Sequence, residues 1–204
     1  PVPDYVHHHK IYFQMIFCYK GWVKVVYEDQ GAPFVMKSGD CVLQPPHIRH
    51  QVLECSDGME VIEVSCPAEH ETYTDHDLEL PNSKKDPFRH FSGQRFVFYQ
   101  AEKTKWKKHP SGGEFRETGI GTATQEITEV RVLKPVNSLS DSPINHQGNL
   151  LFYFVLKGST NLNLADHETI RFKEGDSVSI PPGMTYYFNN VSKTTEILEI
   201  LMPT

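Results

Sequence analysis

Three histidines and a glutamine in the first fifty residues carry the side chains best suited to bind a metal ion. His7 and His9 lie in the run His-His-His-Lys, Gln14 follows, and His50 comes after Pro45-Pro46. Imidazole nitrogen is the commonest protein donor to first-row divalent metals. On an extended strand the side chains at i and i+2 share a face, so His7 and His9 can point at one ion. Gln14 can join them only if the alternation breaks between residues 9 and 14. The sequence therefore predicts a metal site at His7, His9, Gln14 and His50.

The elements that must position these residues are strands. The chain shows little helical periodicity and many short strand-like runs separated by Gly, Pro, Asn and Asp. This pattern is typical of an all-β sandwich or barrel. The predicted strands are 11–19, 22–28, 33–36, 41–44, 49–54, 59–65, 94–100, 127–133, 150–156, 160–165, 168–172, 177–180, 185–189 and 195–201.

An internal repeat relates the two halves of the chain. The matching pairs are 13–21 (FQMIFCYKG) with 150–158 (LLFYFVLKG), 39–46 (GDCVLQPP) with 175–182 (GDSVSIPP), and 59–67 (MEVIEVSCP) with 195–203 (TEILEILMP). Each copy has the same order of strands, glycine turns and Pro-Pro pair. The offset changes by one residue in a hairpin loop, so the repeat predicts two copies of one fold in tandem.

The spacing of the metal-capable residues resembles the two motifs of the cupin superfamily. The first motif would be His7-x-His9, four residues, Gln14, six residues, Gly21. The second would be Gly39, five residues, Pro45-Pro46-His47, two residues, His50. All spacings agree, while Gln14 stands where the family has Glu and His47 where it has Gly. Because Gly tolerates positive φ, His47 should pay a modest backbone penalty there.

This resemblance implies a fold, a metal and a class of ligand. It implies an all-β chain of two tandem cupin (double-stranded β-helix or jelly-roll) barrels. It also implies one divalent transition metal, with Fe, Ni, Mn, Co and Zn all compatible with these ligand types. Gln14 leaves the ligand shell neutral, which should favour an anionic small molecule on the open positions of the ion. A site in which the three histidines bind the ion without Gln14 is an alternative.

Two functions follow from the resemblance, and one further possibility is weaker. The first is a metal-dependent enzyme acting on a small anionic molecule, with a dioxygenase-like reaction ahead of an isomerase or lyase reaction. The second is a non-catalytic sensor or ligand-binding bicupin, since fold does not settle function. A structural or storage-like bicupin is a third possibility that composition does not select. Strand parity offers candidates for the pocket wall: Ile16, Cys18, Cys41 or Val42, Gln44, Val52, Tyr12, Tyr19, Tyr27 and Arg49.

Other interpretations of the histidine run stay open. Three histidines followed closely by Tyr-Phe-Gln are compatible with the remnant of an affinity tag and protease site. That interpretation does not explain the spacing to Gly21 or the partner His50. A cupin barrel that has the histidines but no functional metal is another alternative. His8 should face away from the site.

The second copy of the repeat has lost most of the metal-capable residues. The positions that match His7, His9, Gln14 and His50 are Ile144, His146, Leu151 and Tyr186. A single histidine does not hold an ion, so no metal is expected there. The second unit is expected to be structural or to form part of a dimer interface, with a small apolar pocket as an alternative.

Composition restricts the classes of binding partner and the cellular compartment that we expect. The net charge of −6 and the pI near 6.0 argue against nucleic-acid binding. No run of eighteen apolar residues indicates a membrane span, and no secretory signal opens the sequence. The four cysteines do not resemble a disulfide framework and fit a reducing compartment. We expect a cytoplasmic protein with a small-molecule ligand.

The predicted domains are residues 1–80, a linker at 81–93, and residues 94–204. The connector contains Cys66, His70 and His76, a spacing that is not specific for zinc and is typical of a solvated acidic segment. The first unit lacks the leading strands that residues 94–143 give to the second. Because uncovered barrel edges are a liability, we expect a homodimer or a preceding segment to supply them, with the connector as an alternative.

Overall fold

Strands make up nearly all the regular structure of the chain. The structure is a computed structural model that describes residues 5–110, 112–136, 143–165 and 167–203. Within these ranges the helical elements are a four-residue α-helix, α1 (Ile120–Ala123), and one 3₁₀ turn (Ala101–Lys103). The predicted all-β class is therefore confirmed. None of the helices in the described ranges is both long and apolar enough to cross a bilayer.

The chain divides into two compact units. The first unit comprises the described residues up to Lys103 together with Ala123–Gln125. Its strands are β1 (His7–Lys10), β2 (Phe13–Lys20), β3 (Trp22–Tyr27), β4 (Phe34–Lys37), β5 (Cys41–Leu43), β6 (His50–Cys55), β7 (Glu60–Cys66), β8 (Glu71–Thr74), β9 (His90–Phe91), β10 (Gln94–Arg95) and β11 (Val97–Tyr99). They form a sheet in the order β4-β3-β6-β1-β8, a second in the order β11-β5-β2-β7, and the hairpin β9-β10.

The second unit comprises Thr104–Thr122 and the described residues from Glu126 onward. Its strands are β12 (Lys107–Lys108), β13 (Glu114–Glu117), β14 (Glu129–Lys134), β15 (Leu150–Lys157), β16 (Ser159–Leu164), β17 (Ile170–Lys173), β18 (Ser177–Ile180), β19 (Tyr186–Asn189) and β20 (Glu196–Met202). They form one sheet in the order β12-β13-β14-β20-β15-β18 and another in the order β17-β16-β19. In both units the sheets of the described residues are open and none closes into a barrel.

Strand register confirms the internal repeat. In the first unit β2 pairs with β7 from Phe13↔Cys66, with a register shift between Cys18 and Lys20. In the second unit β15 pairs with β20 from Leu150↔Met202, and its shift falls at the corresponding place, between Val155 and Lys157. A shared bulge requires a shared backbone path, so the two segments are two copies of one topology.

The backbone conformation of His47 explains why the cupin motif has glycine at this position. His47 has φ of 64°, and Gly183 occupies the matching position of the second unit with φ of 77°. A side chain at positive φ is disfavoured, which is why glycine suits this turn. The predicted backbone penalty at His47 therefore applies to the turn that leads into β6.

The connector contributes strands to both larger sheets of the first unit. β8 pairs with β1 along its whole length, and β11 pairs with β5. One edge strand of each larger sheet, β8 and β11, thus comes from the connector, which was the alternative that the sequence left open, and the homodimer stays a prediction. Residues 94–103 lie in the first unit, whereas the sequence analysis placed the second unit from residue 94.

Charged side chains hold the connector to the first unit. Arg89 donates to Glu28 at 2.6 Å and to Asp29 at 2.8 Å, and its guanidinium lies 4.4 Å from the centre of the Phe91 ring. Asp29 is almost fully buried, and Asn82 donates a hydrogen bond to its carboxylate at 2.6 Å. The bonds from Arg89 and Asn82 outweigh burial and lower the pKa of Asp29. The connector is therefore an integral part of the first unit.

Replacing Arg89 by methionine is expected to destabilise the first unit by about 2 kcal/mol. The substitution keeps apolar bulk over Phe91 but leaves the buried Asp29 with less compensation, and partial exposure of Arg89 reduces the cost below that of a fully buried pair. Urea unfolding followed by fluorescence measures the change. The matched control is Lys10→Met, which breaks a solvent-exposed pair with Glu71 and should leave the midpoint unchanged. Equal effects from both variants would contradict the assigned role of Arg89.

The cysteines are free, as their distribution predicts. Cys18 and Cys41 are buried, Cys66 is half-buried and Cys55 is exposed. Burial raises the pKa of Cys18 to about 11, so this thiol is protonated and unreactive at neutral pH.

Candidate metal centre

Two neighbouring strands bring the three histidines together. β1 and β6 pair at His7↔His50, and His9 projects from the same face of β1 as His7. Nitrogen atoms of the three rings all lie within 4.8 Å of one another. His7 and His50 are buried, and His9 is half-buried. In the described part of the chain no other group of three His, Cys, Asp or Glu side chains is this compact.

Hydrogen bonds set the tautomers that metal binding requires. His7 Nδ1 lies 3.0 Å from the Tyr5 carbonyl, and His50 Nδ1 lies 3.1 Å from the Ile48 carbonyl. A carbonyl oxygen only accepts, so each Nδ1 carries the hydrogen and each Nε2 keeps its lone pair. His9 Nδ1 bonds to the hydroxyl of Thr72 at 2.8 Å; since a hydroxyl donates or accepts, this bond orients the ring and is compatible with a lone pair on Nε2. Such outer hydrogen bonds orient metal-binding imidazoles, so the residues present fit a divalent ion held by three Nε2 atoms.

Burial and mutual repulsion keep the rings of His9 and His50 neutral. Burial, reinforced by the proximity of His7, lowers the pKa of His50 to about 3. Burial, followed by the charges of His7 and His70, lowers the pKa of His9 to about 4. Because only neutral imidazole binds a metal, both residues are in the binding form at neutral pH.

Gln14 lies in a directed chain of hydrogen bonds beside the histidines. Its Nε2 donates to Glu63 Oε1 at 2.8 Å, and its Oε1 accepts from Gln44 Nε2 at 2.9 Å. Gln44 Oε1 in turn accepts from the buried hydroxyl of Tyr27, whose ring stacks on His50 at 5.4 Å. The carboxylate of Glu63 only accepts, so it fixes the direction of every donor in the chain. Gln14 Oε1 keeps a second lone pair, and its role as a fourth ligand stays a prediction.

Glu63 is the functional candidate that sequence reasoning missed. It lies on β7, opposite Ile16 of β2, and Ser65 also donates to its carboxylate at 2.8 Å. The acidic group that the motif was expected to have at position 14 is thus supplied by the adjacent strand, one hydrogen bond away. No specific signal in the sequence marked Glu63, because β7 also contains the polar residues Glu60 and Ser65.

Replacing Gln14 by glutamate is expected to destabilise the metal-free protein by about 1–3 kcal/mol at pH 8. The new carboxylate would replace the donor that faces Glu63, and two carboxylates in contact repel each other. The double variant Gln14→Glu/Glu63→Gln exchanges the two groups and should recover most of the loss. Urea unfolding in the presence of a chelator measures both. An equally unstable double variant would contradict this account of why glutamine occupies position 14.

A cavity of about 370 Å³ lies between the two larger sheets of the first unit, with the histidines in its wall. This volume is within the range of small-molecule sites, about 300–1,000 Å³. The described residues that line it are His7, His9, Gln14, Ile16, Val23, Val25, Tyr27, Met36, Gln44, His50, Val52, Met59, Val61, Glu63 and Thr72. Of the predicted wall residues, Ile16, Tyr27, Gln44 and Val52 are confirmed, and the others lie elsewhere.

Two further histidines lie close to the centre in different ways. His8 faces away as predicted, and its ring stacks on Tyr73 with the centroids 5.4 Å apart. His70 was treated as part of a solvated connector, but its ring meets the edge of His9 at 5.0 Å. The connector therefore contributes Thr72 and His70 to the surroundings of the centre.

The second unit fills the corresponding region with a buried polar cluster. Tyr186 and Tyr153 bond through their hydroxyls at 2.9 Å, and Tyr153 also donates to Glu199 at 3.0 Å. Tyr186 matches His50, and Glu199 matches Glu63. Burial raises the pKa of Glu199. His146 bonds to the Ile180 carbonyl through Nε2 at 2.7 Å.

Comparison with known proteins supports a cupin-like fold. Residues 130–201, which run from β14 to β20 of the second unit, match the cupin domain family. No curated protein has significant sequence similarity to the chain.

Three solved structures illustrate the similarity of fold. Oxalate decarboxylase from Bacillus subtilis has 16% identity and a TM-score of 0.66, covering 98% of this chain and 64% of the enzyme. A mutant of salicylate 1,2-dioxygenase from Pseudoaminobacter salicylatoxidans has 13% identity and a TM-score of 0.70, covering 97% and 66%. Procruciferin, an 11S globulin from Brassica napus, has 10% identity and a TM-score of 0.64, covering 98% and 74%.

The chain thus spans less than two thirds of the length of the two enzymes. At these identities the similarity establishes the fold. Residues 130–201 of this chain match the cupin domain family, and the chain shares its fold with these proteins.

Proposed function

We propose that this protein is a divalent-metal-dependent enzyme of the cupin type that acts on a small anionic molecule, with a dioxygenase-like reaction. The observation that carries the proposal is the group of three histidine nitrogens within 4.8 Å, set in the wall of a 370 Å³ cavity. A closed structural site has no such cavity beside it, whereas a catalytic site keeps room for a substrate.

The side chains of the cavity have distinct parts in this proposal. His7, His9 and His50 hold the ion through Nε2, and Gln14 ligates it or hydrogen-bonds to the substrate. When bound, a divalent transition ion supplies a Lewis acid and, if redox-active, electrons for reaction with dioxygen. Gln44, itself bonded to Tyr27, holds the amide of Gln14 in place.

Two structures with the same fold support the choice of reaction class. Both enzymes are named for small carboxylates, oxalate and salicylate, and the second is a dioxygenase. A further matching structure concerns the Mn(II) centres of the Bacillus subtilis oxalate decarboxylase. These similarities support a metal among Fe, Ni, Mn, Co and Zn and leave its identity to measurement.

The bicupin architecture is part of the same proposal. The common register and bulge of β2–β7 and β15–β20 support two tandem cupin units, with the metal in the first. Assembly as a homodimer and a cytoplasmic location stay predictions.

Metal analysis and oxygen uptake test the proposal. Tag-free protein is expected to hold about one equivalent of a transition metal by mass spectrometry, and the iron-loaded form is expected to consume oxygen with a suitable carboxylic acid. Failure to bind any of the candidate metals would end the proposal.

A bound metal without turnover would instead favour a second function, a non-catalytic ligand-binding or sensor protein. The seven apolar side chains of the cavity wall favour that alternative because they suit retention of a ligand more than chemistry.

A further inference from the structure

The cavity has a polar end and an apolar end. Along β3, the cavity-facing residues run from Val23 and Val25 to Tyr27, and Tyr27 pairs with His50 while Val25 pairs with Val52. The register therefore places the polar members of both strands at one end of the cavity and their apolar members at the other.

The wall of the cavity formed by β2 and β7 also changes from polar to apolar side chains along its strands. On β2 the cavity-facing residues are Gln14 and then Ile16, and on β7 they are Glu63 and then Val61. Gln14, Glu63 and Gln44 are joined by hydrogen bonds, so their polar groups are already paired with one another. Ile16 lies directly opposite Glu63, and beyond this pair Val61 and Met59 continue the wall with no further polar side chain.

Charge at the polar end is limited. The described residues that line the cavity include no lysine and no arginine, and the only carboxylate is that of Glu63. A divalent ion on the histidines would carry two positive charges, and Glu63 would offset one of them. One singly charged head group completes the neutralisation, and a second carboxylate would find no counter-charge.

We infer that the cavity takes a monoanionic molecule whose charged head lies at the three-histidine end and whose apolar body lies against Ile16, Val25 and Val52. This inference rests on the proposed function and narrows its substrate class. It excludes extended dicarboxylates such as adipate, whose second carboxylate would lie against aliphatic side chains without hydrogen-bond donors. It favours a fatty or aromatic monoacid of a size that fits 370 Å³.

Hexanoate and adipate form a matched pair of probes. They have the same number of carbon atoms, and adipate adds a carboxylate at the end that would meet the apolar wall. With Co(II)-loaded protein, titration calorimetry should show adipate binding at least about thirtyfold more weakly than hexanoate. Hexanoate should bind about fifteenfold more tightly than butanoate, because it has two more methylenes and each buried methylene strengthens binding about fourfold. The hexanoate protons next to the carboxylate should be broadened most by the paramagnetic ion.

A pair of lysine substitutions locates the effect. Val52→Lys places a cation at the apolar end. It should reduce the ratio of hexanoate affinity to adipate affinity by at least about threefold. Val35→Lys, at an exposed position on β4 that is outside the cavity, should leave this affinity ratio unchanged. Thermal unfolding of both variants, with cobalt content measured alongside, confirms that each is folded and loaded.

The outcomes separate this inference from the function on which it rests. If the protein binds cobalt but adipate binds as tightly as hexanoate, or if chain length has no effect, the inference fails while the metal site stands. If the wild-type protein takes up no cobalt, the proposed function fails and so does the head-group part of the inference. Binding of neutral hexanol to metal-free protein, again tighter with increasing chain length, would still support an apolar cavity.

Discussion

Replacing His50 by alanine is expected to weaken zinc binding by at least about a hundredfold. Zinc sites with four protein ligands contribute about 10–16 kcal/mol, so the loss of one ligand removes about 3 kcal/mol or more. His50 lies under the ring of Tyr27, and only His7, His9 and His50 among the described residues form a compact group with nitrogens within 4.8 Å, so no equivalent ligand is already in place. Competition with a chromophoric chelator measures the affinity.

His8→Ala is the matched control for this experiment. His8 belongs to the same run of histidines but stacks on Tyr73 and faces away from His7 and His9. Its loss should leave the zinc affinity unchanged. If His8→Ala weakened binding as much as His50→Ala, the metal would be held by the histidine run as a flexible chelator, as in an affinity tag, and the folded centre would be refuted.

A third variant decides the role of Gln14. Gln14→Leu copies Leu151, the residue at the matching position of the second unit. If Gln14 ligates the ion, this change should weaken zinc binding about tenfold or more, whereas an effect of twofold or less would show that the three histidines hold the ion without it.

The sequence predicted the strands of the repeat well because their signals are local. Alternation, turn glycines and the Pro-Pro pair recur in both copies, and β2–β7 and β15–β20 follow them closely. Strand parity likewise predicted that His7 and His9 share a face. His50 was added by the resemblance to the cupin motifs, since its pairing with His7 joins distant parts of the chain.

β8 could not be predicted because its pattern is polar. Residues 71–74 are all exposed in the structure, and Glu71-Thr-Tyr-Thr has no apolar side to suggest a strand. The strand forms because β1 offers an unpaired edge, and backbone hydrogen bonds to that edge outweigh local preference. Thr72, which orients His9, was missed for the same reason.

Glu63 was missed because its role depends on a cross-strand contact. Sequence reasoning assigned the acidic group of the site to position 14 and treated its replacement by glutamine as a loss of charge. In the folded protein the carboxylate is displaced by one strand, and the amide of Gln14 connects it to Gln44. Register between β2 and β7 determines that contact, and one sequence without its fold does not specify it.

The metal-free protein is expected to lose about 2–3 kcal/mol of stability between pH 7 and pH 4.5 through His50 alone. The unfolded chain binds a proton at His50 below pH 6.5, whereas the folded protein resists protonation until pH falls to about 3. Because the unfolded state binds more protons in this window, the free energy of unfolding falls as pH falls. His9, with a pKa of about 4, adds a smaller contribution because it is only half-buried.

Urea unfolding at a series of pH values, with chelator present throughout, measures this dependence, and His50→Gln isolates its source. Glutamine keeps a polar side chain but does not titrate, so the variant should lose less stability between pH 7 and pH 4.5 than the wild type. The lowered pKa of Asp29 acts only below its ordinary value of 3.8, outside this window. The same slope in both proteins would show that His50 titrates normally, and the burial that keeps this centre ready to bind a metal at neutral pH would then be disproved.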